Sequence, residues 1–233
     1  MEKKLLPFIE NEELYGHVKK VLITVNSAVK YKEKTLYKNI VDPFSAIFDS
    51  LRQGITLEEW LEQEKTRQIQ KTMQNALGEF HADIIGSIAG WDKLPAGNVV
   101  DVRNTEKRII AEVKNKWNTT KGSDKKAIYD NLKSQLDKGA YSGFIGYYVE
   151  VIPSRKGGYD KPFTPPDNVT KTKRPVNENI RMIDGDSFYE IASGLPGAIK
   201  ALYDVLPGII IKILGNKKFK KSKTFYDLFD RAF

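Results

Sequence analysis

A mixed α/β core, with a central sheet flanked by helices and an N-terminal helical region before it, is the fold class that the sequence predicts. Three observations lead there. Apolar residues in the first third recur at helical spacing, the period changes to strand-like near residue 99, and the elements then run strand, strand, helix, strand. A chain of 233 residues with 40% hydrophobic side chains is long and apolar enough to bury a core. No internal repeat and no linker-like stretch divides it, so the reading is one domain over residues 1–233. Its parts are a helical section 1–55, a core 56–153, and a terminal section 154–233 made of an excursion and helices.

The elements follow in order. Leu14, Val18, Leu22 and Val25 define one helix face, and residues 36–51 suggest a second short helix broken near Asp42 and Pro43. Thr56 is a suitable N-cap for a long helix, with Glu58 and Glu59 in its first turn and Gly90 ending it. Residues 99–102 and 108–116 read as two strands joined by a turn at Asn104 and Thr105. Ser123 then caps a helix over about 124–138, which places Ile128, Leu132 and Leu136 on one face. Residues 143–152 are rich in aromatic and β-branched side chains and read as an apolar strand. Residues 153–175 are Pro/Gly-rich and basic, and read as a long excursion rather than an element. Residues 180–183 suggest a further strand, followed by a helix capped by Asp186 or Ser187 and a helical stretch over 198–206.

Composition removes whole classes of chemistry. With no cysteine, disulfides, thiolate metal sites and cysteine nucleophiles are excluded. With only His17 and His81, a histidine-built metal site is disfavoured, and any catalytic metal falls to carboxylates, which suit hard ions such as Mg²⁺. The formal charge of +8 suits a polyanionic partner. The opening MEKKLLPFIENEEL carries charges where a secretion signal needs an apolar stretch. The most apolar run, 198–214, is interrupted by Lys200, Asp204, Pro207 and Lys212. A cytoplasmic location without membrane insertion is therefore expected.

The chemistry concentrates in the predicted hairpin NVVDVRNTEKRIIAEVKNKW. Strand residues two apart share a face, so Glu112 and Lys114 point together while Ala111 and Val113 point away. Asp101 joins that face in either of two registers, opposite Ile110 or directly opposite Glu112. Two neighbouring carboxylates repel unless a divalent cation sits between them. Such an ion polarises a phosphate oxygen and acidifies bound water, and a lysine beside it orients or deprotonates that water. The constellation suits phosphodiester hydrolysis.

This hairpin, extended to VVDVRN…IIAEVKNKWNTTKGSD and preceded by LGEFHADIIGSIAGW, resembles the SinI-type group of type II restriction endonucleases within the PD-(D/E)xK nuclease superfamily. The stretch VNENIRMIDGDSFYEIASG resembles a segment common in restriction enzymes. Val100 stands where that superfamily's motif often has proline. The resemblance implies a PD-(D/E)xK restriction-endonuclease-like core and Mg²⁺-dependent cleavage of double-stranded DNA at a short palindromic site of the GGNCC or GGWCC kind. It further implies a homodimer, with a cognate DNA methyltransferase as its genetic partner. Carried over residue by residue, Asp101 and Glu112 are metal-binding acids, the Val113 carbonyl is a further metal ligand, and Lys114 is the catalytic lysine. Glu79, on the preceding helix, takes the place of an auxiliary acid, with Asp83 as the substitute.

Other residues stand near this centre in sequence. Beside Glu79, His81 reads as a structural histidine. Asn115, Lys116, Asn118 and Lys121 follow the ExK strand and are expected at the DNA backbone. In the excursion, Arg155, Arg174, Asn177 and Arg181 carry the guanidinium and amide groups that read purine edges. The lysines at 217, 218, 220, 221 and 223 suit phosphate contact, a solvated tail or a membrane-surface patch. Rival readings are another nuclease of the superfamily, such as a repair or junction-resolving enzyme, and a non-catalytic DNA-binding protein retaining the fold.

Overall fold

The computed structural model describes residues 3–35, 41–95, 97–137, 139–167, 170–215 and 219–233, and the side chains of 31–35 are not described. Residues 36–40 of the expected second helix, Lys138, Lys217 and Lys218 lie outside the described residues. The chain divides into two compact units, one of residues 1–18 with 80–233 and the other of residues 19–79. Both junctions fall inside helices, where sequence carries no linker signature.

The smaller unit consists of most of α1 (Asn11–Thr35), α2 (Pro43–Gln53) and most of α3 (Leu57–Gly86). Asp42 and Pro43 do not break a helix; they start one. The Asp42 carboxylate accepts the backbone N–H of Phe44 at 2.9 Å and of Ser45 at 3.3 Å, while Pro43 fills the first helical position, where no N–H is needed. At α3, Thr56 and Glu59 form a reciprocal capping box, with Thr56 N donating to Glu59 at 2.9 Å and Glu59 N to Thr56 at 3.2 Å. The Trp60 indole donates to Asp49 at 3.1 Å and ties α3 to α2.

The larger unit is built on a six-stranded mixed sheet in the order β1-β2-β3-β4-β8-β5. Its strands are β1 (Asp92–Lys93), β2 (Val102–Asn104), β3 (Ile109–Lys116), β4 (Ile145–Ile152), β5 (Asp160–Pro162) and β8 (Ile180–Asp184). β3, β4 and β8 run parallel, and the strands outside them pair antiparallel. A two-stranded ribbon, β6 (Pro166–Asp167) with β7 (Thr172–Lys173), lies apart. The excursion is therefore not structureless. The Phe163 side chain is buried and stacks on Tyr148 with ring centroids 4.7 Å apart, which draws β5 to the edge of β8.

Each sheet face has its own cover. Ile110, Gly146 and Ile180 are register partners on one face, which packs on Tyr129 and Leu132 of α4 (Gly122–Leu136). The absent side chain of Gly146 leaves room for Leu132, whose Cδ2 would lie 3.2 Å from a Cβ there. On the other face Tyr147 packs edge-to-face on Phe188 of α5 (Gly185–Ser193), with centroids 5.6 Å apart. α5 is capped by Asp184 rather than by Asp186 or Ser187, and Asp184 accepts the Ser187 N–H at 3.1 Å. Gly185 is needed at this junction, because a Cβ there would lie 2.3 Å from the Val151 carbonyl oxygen.

The C-terminal helices exceed the sequence reading. α6 runs Ala198–Leu214, past Pro207, and a further helix, α7 (Lys223–Ala232), begins at the last of the lysines read as a cluster over 217–223. Phe225 and Phe229, four apart on α7, pack on Tyr203 of α6 with centroids 4.4 and 5.1 Å away. No helix among the described residues is long and apolar enough to cross a membrane.

His81, near the C-terminal end of α3, shares a 2.9 Å hydrogen bond with the Tyr189 hydroxyl of α5, and burial pushes its imidazole from 6.5 down to about 4. Between those pH values the unfolded chain takes up a proton that the folded chain refuses, so stability present above pH 6.5 is lost as pH falls toward 4. His81→Gln is expected to lose about 3 kcal/mol less than the wild type across that window, measured by urea unfolding at stepped pH. Parallel curves for the two proteins would show that His81 does not titrate with folding.

Candidate active site

The face covered by α4 changes character along the strands. At the level of Ile110, Gly146 and Ile180 it is apolar; two residues on come Glu112, Tyr148 and Met182, and two further on Lys114, Glu150 and Asp184. The polar rows therefore lie toward the C-terminal ends of the parallel strands, where α/β sheets commonly place ligands. α4 runs back along this face: Leu132 packs near Gly146, while Lys125, closer to the helix start, reaches Glu150.

The longer of the two registers holds. Val102 pairs with Ala111, and one more step brings Asp101 level with Glu112. Asp101 stands just before β2, not within a strand over 99–102. Its N–H donates to the Ala111 carbonyl at 2.9 Å, and its carboxylate accepts the Val113 N–H at 2.7 Å. That second bond fixes the side chain against the strand that carries the other acid. Lys114 Nζ lies 2.5 Å from Glu112 Oε1. Burial first, and then the charge of Asp101, pushes the Glu112 carboxyl above the ordinary glutamate range, against the pull of Lys114. The two acids thus face each other in a partly desolvated setting with one cation beside them.

Among the described residues no group of three or more histidine, aspartate or glutamate side chains converges on a point. The donor set here is two carboxylates. It fits Mg²⁺, which is held through one or two carboxylates and keeps several of its waters.

The other sequence-derived candidates are distributed as follows. Glu79 is exposed on α3 and pairs with Lys20 at 3.3 Å. Asp83 is buried and pairs with Lys93 of β1 at 2.5 Å. Asn115 and Lys116 end β3, and Asn118 and Lys121 lie on the exposed turn that leads into α4, with Lys121 at its N-cap. Arg155 is exposed in the turn after β4. Arg174 is bound internally, 2.5 Å from Asp130 of α4 and 3.6 Å from Asp167. Asn177 accepts the Asn179 N–H at 2.9 Å in a local turn. Arg181 is the register partner of Tyr147, on the sheet face opposite Glu112, and pairs with Asp160 at 2.5 Å and Glu178 at 3.2 Å. The excursion is also fastened to α4 by Lys126–Asp167 at 3.1 Å and by the Tyr129 hydroxyl donating to the Pro175 carbonyl at 2.8 Å.

Sequence reasoning passed over Glu150 and Lys125, and noted Tyr159 only as one of the aromatic residues of the excursion. Lys125 Nζ lies 2.6 Å from Glu150 Oε1, and the Tyr159 hydroxyl donates to Glu150 Oε2 at 2.6 Å. The signal was present: Glu150 is the only charged residue in the strand IGYYVEVI.

No solved structure matches the chain. Among proteins of known name, the chain is 39% identical, over 91% of its length and 90% of the relative, to a protein named Type II restriction enzyme Eco47II from Escherichia coli. It is 29% identical, over 100% of its length and 91% of the relative, to a protein named Type II restriction enzyme Sau96I from Staphylococcus aureus. The model of the Eco47II restriction endonuclease family matches residues 6–215, a span that takes in the acidic hairpin, α4, the excursion and α5. The chain belongs to the Eco47II restriction endonuclease family.

Proposed function

We propose that the chain hydrolyses phosphodiester bonds of duplex DNA at a short palindromic site, of the GGNCC or GGWCC kind, with Mg²⁺ and as a homodimer. That it is a site-specific type II endonuclease follows from its family and its relatives. The assignment to the PD-(D/E)xK superfamily, the metal and the residue roles are our reading. One observation carries them: Asp101 and Glu112 are held level across a hairpin, with Lys114 against Glu112, at the C-terminal ends of parallel strands.

In this reading Asp101, Glu112 and the Val113 carbonyl hold the ion. When bound, Mg²⁺ offsets the charge of the phosphate and acidifies a water. Lys114, held as an ammonium against Glu112, orients the attacking water and offsets the charge that builds on the phosphate, while the water's proton passes to solvent. The water oxygen bonds to phosphorus, the bond to the leaving sugar oxygen breaks, and that oxygen takes up a proton. Asp101 is kept in register by its bond from Val113, so the two acids do not drift apart as charge builds up. Lys116, Asn118 and Lys121, exposed on the chain leaving the ExK strand, would hold backbone phosphates, and Arg155, exposed in the turn after β4, would make a base contact. Arg174 and Arg181 would have to exchange their carboxylate partners before reading a base. A methyltransferase that protects the same site is the expected genetic partner.

The direct test is incubation of the protein with unmethylated phage DNA and Mg²⁺. Discrete fragments are expected; a smear would indicate a nonspecific nuclease, and binding without cutting a non-catalytic protein. Asp101→Ala and Glu112→Ala should each abolish cutting yet keep DNA binding in Ca²⁺, since each loses a metal ligand but also a charge that repels phosphate. Wild-type cutting by either variant would sink the assignment.

Glu112 gives a stability test as well. Its raised pKa means that, without metal, the folded chain binds a proton more readily than the unfolded one, so stability rises as pH falls toward and through its folded pKa. At neutral pH in EDTA, Glu112→Gln should melt above the wild type. Mg²⁺ should raise the wild-type Tm and leave that of the variant unmoved; an indifferent wild type would speak against metal binding.

The palindrome predicts two chains per duplex. Sedimentation on a specific duplex should show that ratio, and one chain cutting both strands together would contradict it.

A further inference from the structure

Glu150 is 1% exposed, at the same level of the sheet as Lys114 and on the same face. A carboxylate so placed is costly unless cations and donors saturate it. Lys114 thus has two acids within reach of its strand position, Glu112 on its own strand and Glu150 beside it on β4, and it bridges Glu112. Both oxygens of Glu150 are already taken, one by Lys125 at 2.6 Å and the other by the Tyr159 hydroxyl at 2.6 Å. Each of those partners is itself restrained. The Lys125 ammonium lies 5.3 Å from the centroid of the Tyr148 ring, and the Tyr159 N–H donates to Asp184 at 2.6 Å. Burial, and then its hydrogen bond to Glu150, raises the Tyr159 phenol above its ordinary range, so it remains a donor.

We propose that Lys125 is a positioning residue for the cleavage reaction: by saturating Glu150 it keeps that buried carboxylate from drawing Lys114 away from Glu112 and the reacting water. The inference rests on the role given to Lys114 above. It makes a specific claim about coupling. Removing Lys125 alone leaves a buried acid short of a cation, and the nearest replacement on the sheet is Lys114. Removing the acid together with Lys125 takes away the competitor, so the double change is milder than the single one.

The test compares wild type, Lys125→Met, Glu150→Gln and the double variant Lys125→Met/Glu150→Gln. Single-turnover cutting is measured in Mg²⁺, DNA affinity in Ca²⁺, and folding by circular dichroism and thermal melting. Lys125→Met is expected to fold and to bind DNA within about threefold of wild type, but to cut at least tenfold more slowly. Glu150→Gln and the double variant should cut within about threefold of wild type. A rate loss in Lys125→Met that the double variant does not relieve, or a comparable loss of DNA affinity, would mean that Lys125 itself meets the DNA, and would overturn the proposal. So would a normal rate in Lys125→Met. If Lys125→Met fails to fold while the double variant folds and cuts, the pair is purely structural and the proposal falls; if the folded double variant does not cut, it falls as well. A wild type that cuts no DNA would instead sink the function proposed above.

Discussion

The repulsion between Asp101 and Glu112 is the constraint around which the larger unit is arranged. Two carboxylates held level across a hairpin and partly removed from water work against the fold, and the local structure holds them there all the same. The Val113 N–H fastens Asp101, the pairing of Val102 with Ala111 sets the register, and Lys114 lies against Glu112 without cancelling the effect of burial and of Asp101. A sheet selected for stability alone would place an apolar or oppositely charged neighbour at one of these positions. The fold keeps this repulsion, and the cation proposed above is what would relieve it.

Strand direction explains why the acids can be there at all. β3, β4 and β8 run parallel, so the apolar rows at one end share a single face with the polar rows at the other. α4 covers both. Leu132 and Tyr129 pack the apolar end, and Lys125 serves the polar end. The helix seals the core and supplies charge to the site within one element, and Lys126, the Tyr129 hydroxyl and Asp130 hold the excursion against it.

Much of this was legible in the sequence where periodicity and local chemistry agree. The alternation in IIAEVKNK marks β3 and puts Glu112 and Lys114 on one face, and Thr56 with Glu59 marks the start of α3. The hairpin register was legible only as a choice of two, because alternation fixes a face but not a partner. Other features depend on contacts between distant residues. Asp42–Pro43 reads equally as a break or a start until the N–H partners are known. The edge strand β5 exists because of long-range contacts to β8 and Tyr148, and α7 because Phe225 and Phe229 find Tyr203. Arg174 and Arg181 read as free because their shortest ion pairs, to Asp130 and Asp160, span 44 and 21 residues.

Glu112 and Glu150 show how one residue type takes opposite states on a single sheet face. Both lie within one turn of the pleat from each other, and both are drawn from water. Glu150 has a cation on one oxygen and a hydroxyl donor on the other, so its charge is compensated within the fold. Glu112 has one cation and a facing acid, so its charge is under-compensated. Burial alone would have ranked Glu150 as the more unusual residue. The distinction lies in saturation: a buried charge whose partners are complete is part of the scaffold, and one whose partners are incomplete is where a ligand can contribute binding energy.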